Sequence, residues 1–503
     1  MELKLIQATL DTYEPAEEVT LTQEASEETI VPDYCPDIER IVSAQGHVFL
    51  HSRDAAKGEV EGSVRVCVLY TAEGEDAIRK LELSIPFSAQ GEGETAECAY
   101  LSAQTELEAL ESRLLNPRKL STRCTLVTHM TGYRKTCLPL SSDVEAEDGL
   151  CVEKKTSEKS VTLLRQIADK DLVFSDVLTL SPAREGAEEL LDSRVSAEVN
   201  ETKTLGNKLL FRGLFRVSLL YRTGSGALAA ASAELPFSQV IEVGEIGENA
   251  QVTVETDVTG VDIQLDRAED EGRTIPVTIY YHVLALLREK EELTFLTDLY
   301  STAYPTNYRA IPLTVDARCE RIERRRTVRE VLETEAEAES VLSASAECGC
   351  VRVRGDELCT SVRVRALYRD ADGSCRCARR RIEVTCPTEG AEGAILRARA
   401  DCPEEVQWTI NEQGIEVRFA VDFTACCCTR ERTACIEEAT LDVNAPRGAA
   451  VPSLVLRRFA AGDTLWETAK RYGTTVEAIL AANRIEGEDE IEEETLLLVP
   501  AIR

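Results

Sequence analysis

Alternating apolar and polar residues dominate most of the chain, and the alternation recurs in three similar segments. Each segment ends in Leu-Tyr and runs into a turn that contains glycine; the segments lie at 62–70, 213–221 and 360–368. A period of two residues is typical of a β-strand, because successive side chains point to opposite faces. The final residues, Tyr70, Tyr221 and Tyr368, are 151 and 147 positions apart. This steady spacing predicts three copies of one β-rich unit.

Two further landmarks follow each of these strands in the same order. The first is a return strand that reaches a proline, at Pro86, Pro236 and Pro387. Because proline cannot donate to a ladder, we expect it to end each return strand. The second landmark is a later strand, at 123–127, 275–281 and 415–421. The alternation predicts half-exposed antiparallel sheets packed as a sandwich, and the segment 105–115 is predicted to be a helix.

The last part of the chain has a different pattern. Thr464 and Glu467 form a capping box that begins a helix, and Gly473 is placed to end it. Thr474 to Glu477 repeats the capping signal, and Asn483 can adopt the left-handed conformation that ends the second helix. Short apolar strands flank the two helices. The predicted order is β-α-α-β in about 50 residues.

The fold class is therefore mainly β, with a small α+β module at the end. The predicted organisation is three tandem β-sandwich-like units, a linker and a βααβ module, at 1–160, 161–311, 312–445, 446–452 and 453–503.

The final module closely resembles the LysM family. The matching positions are Gly462-Asp463-Thr464-Leu465, Thr468-Ala469, Tyr472, Asn483-Arg484-Ile485 and Val499-Pro500. The resemblance implies a ligand groove between two loops, made by Gly462, Asp463, Thr464, Leu465, Trp466, Asn483, Arg484 and Ile485. In such a groove Trp466 is either the platform for a sugar ring or part of the module core. Glu494 stands where the family usually has glycine, at the end of an acidic run that begins at Glu486.

The whole chain is similar to the SPOCS-type (SipL-like) family of spore-coat assembly proteins, in which SPOCS domains precede a LysM domain. The similarity rests on the segment 31–41, Val-Pro-Asp-x-x-Pro-Asp-Ile-x-x-Ile, and on the x-Pro-Phe landmarks. It implies a non-enzymatic mother-cell protein at the forespore surface, whose LysM domain recruits a coat morphogenetic protein. In such proteins the LysM domain can bind a coat morphogenetic ATPase. The alternatives are a protein that binds N-acetylglucosamine glycans of peptidoglycan, and an envelope-associated binding protein outside sporulation.

Charge narrows the classes of partner. The formal net charge is −33, from 90 acidic and 57 basic residues. A field of this sign repels nucleic acid and anionic membranes. The N-terminus lacks a secretory signal pattern and no stretch approaches 18 apolar residues, so we expect a cytoplasmic protein without a membrane span. The arginine-rich stretch 318–329 is expected to be a solvated face rather than an anion site.

Cysteine and histidine give no clear catalytic pattern. Of 18 cysteines, six lie at 35–151 and twelve at 319–435. We favour small buried residues on strands, with oxidative cross-links second and metal ligands third. The close sets 348/350, 375/377 and 426–428 lack C-x-x-C spacing, so no metal or cofactor is predicted. Metalloprotease, P-loop and serine-hydrolase motifs are absent from the sequence, so we predict neither catalytic residues nor an enzyme.

Overall fold

A computed structural model describes residues 1–16, 18–73, 77–91, 98–265, 272–388, 394–447, 453–491 and 494–501. Strands dominate these residues, and the α-helices they contain lie in the C-terminal module. The predicted class, mainly β followed by a small βααβ module, is confirmed.

The first group of strands is β1 Lys4–Pro15, β2 Val19–Ile30, β3 Ile38–Asp54, β4 Glu59–Ala72, β5 Ile78–Gln90, β6 Tyr100–Asn116 and β7 Lys119–Glu145. The second is β8 Val152–Thr179, β9 Ala187–Leu205, β10 Lys208–Thr223, β11 Leu228–Glu242, β12 Gln251–Ile263 and β13 Thr274–Ser301. The third is β14 Thr306–Leu332, β15 Ala338–Arg354, β16 Glu357–Asp370, β17 Cys375–Pro387, β18 Ala394–Asp401, β19 Gln407–Asn411 and β20 Gly414–Leu441. The last group is β21 Leu454–Arg458, α1 Leu465–Tyr472, α2 Val476–Asn483 and β22 Leu496–Pro500.

Each of the three β units packs two antiparallel sheets face to face. One sheet is a three-stranded meander, in the orders β3-β4-β5, β9-β10-β11 and β15-β16-β17. The other is built on a long last strand, β7, β13 or β20, which pairs with the first strand of its unit on one side. In the first unit two shorter strands, β1 and β2, pair with successive halves of β7. Each sandwich encloses its own apolar core.

Two long strands begin ahead of the unit boundaries predicted from the sequence. Strand β8 starts at Val152 and β14 starts at Thr306, ahead of the positions 161 and 312. We therefore propose units at 1–145, 152–301 and 306–441, each starting with its long strand.

The Leu-Tyr landmarks lie at the ends of the central meander strands β4, β10 and β16. Their tyrosines are at most 1% exposed and pack inside their own units. The preceding residues, Leu69, Leu220 and Leu367, point to the opposite face, where they share one apolar cluster with one another. Each Leu-Tyr pair therefore contributes to two apolar clusters. Because side chains alternate along a strand, the tyrosine packs inside its own sandwich and the leucine packs against the other units.

Two sequence expectations about strands are wrong. Pro86 and Pro236 do not end their strands but lie inside β5 and β11. These are edge strands of the meanders, where a proline nitrogen can face away from the ladder. Only Pro387 is the last residue of its strand, β17.

The segment 105–115 is part of strand β6 and is not the predicted helix. A register shift between Leu107 and Ala109 interrupts the alternation against β7. Leu107 and Leu110 consequently both contact the core of the first unit, although they are three positions apart. The bulge imitates the spacing of an amphipathic helix.

Candidate functional site

The C-terminal module pairs β21 with β22 and places two helices beside them. The Thr464 hydroxyl caps α1 by accepting the Glu467 N–H, and Gly473 ends that helix in the left-handed region at φ 65°. Thr475, the neighbour of the predicted Thr474, caps α2 by accepting the Ala478 N–H. The local capping chemistry thus sets both helix boundaries.

In the first groove loop Gly462 is exposed, whereas the side chains of Asp463 and Leu465 already make contacts within the module. Gly462 is exposed at φ 85°. The Asp463 carboxylate accepts the Ala460 N–H and an Arg457 N–H, both at 3.0 Å. These hydrogen bonds hold the pKa of Asp463 below its usual value. Leu465 is 1% exposed and its side chain belongs to the module core, so that side chain is not available to a ligand.

The second groove loop is held by Asn483. Its amide donates to the Ile479 and Leu498 carbonyls at 2.7 Å, and its oxygen accepts the Leu498 N–H at 2.8 Å. This fixes α2 to β22. The left-handed residue that ends α2 is Arg484 at φ 57°, not Asn483 as expected. Arg484 is exposed, while Ile485 packs against the module core.

A carboxylate joins the two loops. The Leu465 N–H donates to Glu488 Oε1 at 2.9 Å. Glu488 belongs to the acidic segment between Asn483 and the last strand, in which Glu486 and Asp489 are also exposed. A backbone amide of the first loop is therefore occupied by a side chain from this acidic segment.

Trp466 lies half-buried at a contact between the module and the second β unit. Its indole N–H donates to Asp298 Oδ2 at 2.7 Å, and its ring lies 4.9 Å from that of Tyr300 in an edge-to-face arrangement. Tyr300 is 1% exposed and its hydroxyl donates to the Thr474 carbonyl at 2.8 Å. Trp466 was expected to be either a platform for a sugar ring or part of the module core. In the structure its side chain packs against the module core and also against Tyr300 of β13.

Asp298 is the electrostatic centre of this contact. Besides Trp466 it accepts from Lys470 Nζ at 2.6 Å. Burial raises the pKa of Asp298, but the hydrogen bonds from Lys470, Trp466 and Tyr308 outweigh it and hold that pKa below its usual value. Across the same contact Glu153 faces Glu477, and burial together with that like charge raises the pKa of Glu153.

Glu494, the residue that replaces the family glycine, has left-handed backbone at φ 72°. Its N–H donates to the Phe459 carbonyl at 2.8 Å, and its carboxylate pairs with Arg458. The usual glycine is thus explained by a conformation that other residues adopt at a cost.

The cysteines occupy several environments. Cys319 and Cys428 form a disulfide between β14 and β20, and the Cys348 and Cys402 sulfurs lie 3.2 Å apart. Asp316 lies beside the disulfide, but bonded sulfurs offer no thiolate to a metal. Most of the other thiols on strands are buried or half-buried. His129 forms hydrogen bonds with Glu18 and Thr20.

Two family models match the chain. One, described as SipL, SPOCS domain, matches residues 187–266, which span β9 to β12 of the second unit. The other, LysM domain, matches residues 459–500. The chain contains a SPOCS domain and a C-terminal LysM domain. Both are non-catalytic binding domains, and together they fit a coat-related sporulation protein. No curated protein and no solved structure matches the chain. Among the described residues, no helix is long and apolar enough to cross a membrane.

Three residues of the site were missed from the sequence. Asp298 and Tyr300 lie in an ordinary apolar strand, and no sequence signal relates them to a module more than 150 positions away. Glu488 belongs to the acidic run that the sequence does show. A pattern of charges could identify that run but not which carboxylate reaches Leu465.

Proposed function

We propose that this chain is a non-enzymatic adaptor of spore-coat assembly, in which the LysM domain recruits a coat morphogenetic protein to the forespore surface on the mother-cell side. The first and third β units, which repeat the strand order of the matched SPOCS region, are proposed to be further copies of that domain. The three sandwiches serve as a body that presents the LysM domain at one end of β13.

The observation that carries this proposal is the bridge between Leu465 and Glu488. A glycan acetamide needs free backbone groups in the groove, whereas here a carboxylate accepts the loop amide. Glu486 and Asp489, in the same acidic segment as Glu488, have exposed carboxylates and are here called the acidic rim. An acidic rim attracts a basic protein surface electrostatically, whereas it contributes little binding free energy for a neutral sugar.

A second function, binding of N-acetylglucosamine glycans, is supported by Gly462. It is exposed on an intact Gly-Asp-Thr-Leu loop, with nothing within 4 Å of the position of an added Cβ. In this alternative a glycan would displace Glu488 from Leu465.

Charge reversal separates the two functions. The immobilised full chain is incubated with a lysate of sporulating cells and, separately, with purified peptidoglycan. In Glu486→Lys/Asp489→Lys, capture of a coat morphogenetic protein should fall roughly tenfold, since each reversed rim charge weakens association by several-fold. Glu339→Lys/Glu158→Lys, with exposed acids on the β units, is the matched control.

Retention on peptidoglycan that is insensitive to these reversals would favour the glycan function. Capture of a protein that is equally strong in wild type and the rim variant would contradict docking at the LysM groove.

A further inference from the structure

A cavity of about 1430 Å³ lies between the second and third β units, separate from the LysM groove. Its walls come from β8, β9, β12 and β13 on one side and mainly from β14, β18 and β20 on the other. The volume is above the usual range of small-molecule sites, roughly 300–1,000 Å³.

The charge of the lining is opposite to that of the chain. Ten arginines and lysines and six carboxylates line the cavity, in a protein whose net charge is −33. Several of these cations are already neutralised: Arg397 pairs with Glu255, and the β14 arginine Arg325 pairs with Asp422. The β14 arginines at 318, 321 and 325 are mostly exposed and ion-paired, as expected for a solvated face.

Arg288 differs from these cations. It lies on β13 and is 6% exposed, yet within the part of the chain that the structure describes its guanidinium makes no hydrogen bond or ion pair. Arginine stays charged in proteins, and an unpaired buried charge is strongly unfavourable. The nearby Cys426 supplies no counter-charge, because burial raises the pKa of its thiol despite the opposing effect of Arg288.

A second polar group without a partner lies on the neighbouring strand. Ser160 lines the cavity from β8, and its buried hydroxyl has no hydrogen-bond partner among the described residues. Thr162, two positions along β8, pairs in register with Lys290 of β13. Lys290 and Arg288 are two residues apart on one strand and so share a face, with their Cα atoms about 6.7 Å apart.

We propose that this cavity binds a small molecule with two or more negatively charged groups, phosphate or carboxylate. Arg288 and Lys290 hold the charges, and Ser160 and Thr162 donate hydrogen bonds to their oxygens. Two cations at this spacing match a divalent or trivalent anion better than a single monovalent one. This site is independent of the LysM groove and of the adaptor function.

The test uses the full chain and two probes, pyrophosphate and citrate, with acetate as the monovalent comparison. Binding is measured by calorimetry and by melting temperature at constant ionic strength, because salt alone screens exposed charges. Saturable binding of either multivalent probe is expected, with Arg288→Gln weakening it by roughly tenfold or more. Arg325→Gln, which removes one exposed and paired cation from the same cavity, should change affinity by less than about threefold.

Stability gives a second readout. Without a ligand, Arg288→Gln should melt above wild type, because it removes an unpaired buried charge. At saturating probe the order of melting temperatures should reverse, since only wild type gains stability from binding.

If Arg288→Gln does not fold, Ser160→Ala and Lys290→Gln are measured instead, and each should lose several-fold in probe affinity. Absence of saturable binding for both probes, or equal losses in Arg288→Gln and Arg325→Gln, would overturn the proposal. Pyrophosphate binding alone identifies a phosphorylated ligand, and citrate binding alone a polycarboxylate.

Discussion

Asp298 links the LysM domain to the second β unit, so its removal should release the domain. Asp298→Ala deletes the acceptor of both the Trp466 indole N–H and the Lys470 ammonium. Hydrogen bonds to a charged group contribute about 1.5–3 kcal/mol each. The two bonds share one carboxylate, and Lys470 is 33% exposed, so their sum must be discounted.

We expect a loss of about 2–4 kcal/mol in the docking equilibrium, which is roughly a 30- to 700-fold shift toward the released domain. The Tyr300–Trp466 ring contact and the Tyr300 hydroxyl bond to Thr474 remain and limit the effect.

The chain has two tryptophans, which allows a direct assay. Trp408 on β19 is 46% exposed, and Trp408→Phe leaves Trp466 as the reporter. In that background, acrylamide quenching of Trp466 should increase in Asp298→Ala. Asp298→Asn keeps an acceptor for the indole and should have a smaller effect.

The matched control is Asp143→Ala, which removes an equally short pair between Asp143 of β7 and Lys154 of β8, outside the LysM domain. If quenching of Trp466 is the same in Asp298→Ala as in the parent, or rises equally in the Asp143 control, Asp298 does not hold the domain.

Four further outcomes are expected. Docking should weaken as pH falls below 3.8, because the pKa of Asp298 is lowered in the docked state. The ionised carboxylate stabilises docking above that pH, and the stabilisation is lost as Asp298 becomes protonated. Acrylamide quenching of Trp466 as a function of pH measures this. Glu494→Gly should stabilise the LysM domain by about 1 kcal/mol, because it removes left-handed strain and loses only an exposed ion pair; thermal unfolding of the full chain measures it, and no gain would contradict the strain. Gly213→Ala should cost about 1–3 kcal/mol, because its Cβ would lie 2.8 Å from the Phe237 ring and closer still to a Glu198 carbonyl; Gly224→Ala, with nothing within 4 Å, is the control in denaturant unfolding. Mild oxidation should join Cys348 to Cys402, and non-reducing peptide mapping that finds only other pairs would refute this.

Local patterns predicted the elements well, because their causes are local. The alternation before Tyr70, Tyr221 and Tyr368 identified the three central meander strands. The Thr464 capping box and Gly473 identified the first helix, since both act within one turn. Local patterns gave wrong predictions where pairing with a neighbouring strand determines the secondary structure. The bulge near Leu107 and the edge position of Pro86 depend on pairing, which no window of sequence contains.

The candidate site was predicted only in part for a related reason. Motif positions identified the two loops that the LysM resemblance assigns to a groove, but the contacts of each side chain follow from tertiary structure. The Leu465 side chain lies in the module core, Asn483 bonds to β22, and Trp466 bonds to Asp298 of the second β unit. The leucines before the three tyrosines show the same limit: alternation gives the face on which they lie, but not that the three faces meet.

Because Trp466 bonds to Asp298 of β13, the proposed binding of a partner at the groove would be coupled to docking of the LysM domain. Leu465 donates its amide to Glu488 inside the groove, and the next residue donates to Asp298 outside it. A partner that requires the released domain must overcome the docking free energy, so its affinity would increase in Asp298→Ala. A partner that contacts the groove and the second unit together would lose affinity in the same variant. By linkage, either partner changes the docking equilibrium by the same factor as docking changes its affinity. Whether partner affinity increases or decreases in Asp298→Ala therefore shows whether the partner binds the released LysM domain alone or contacts the LysM domain and the second β unit together.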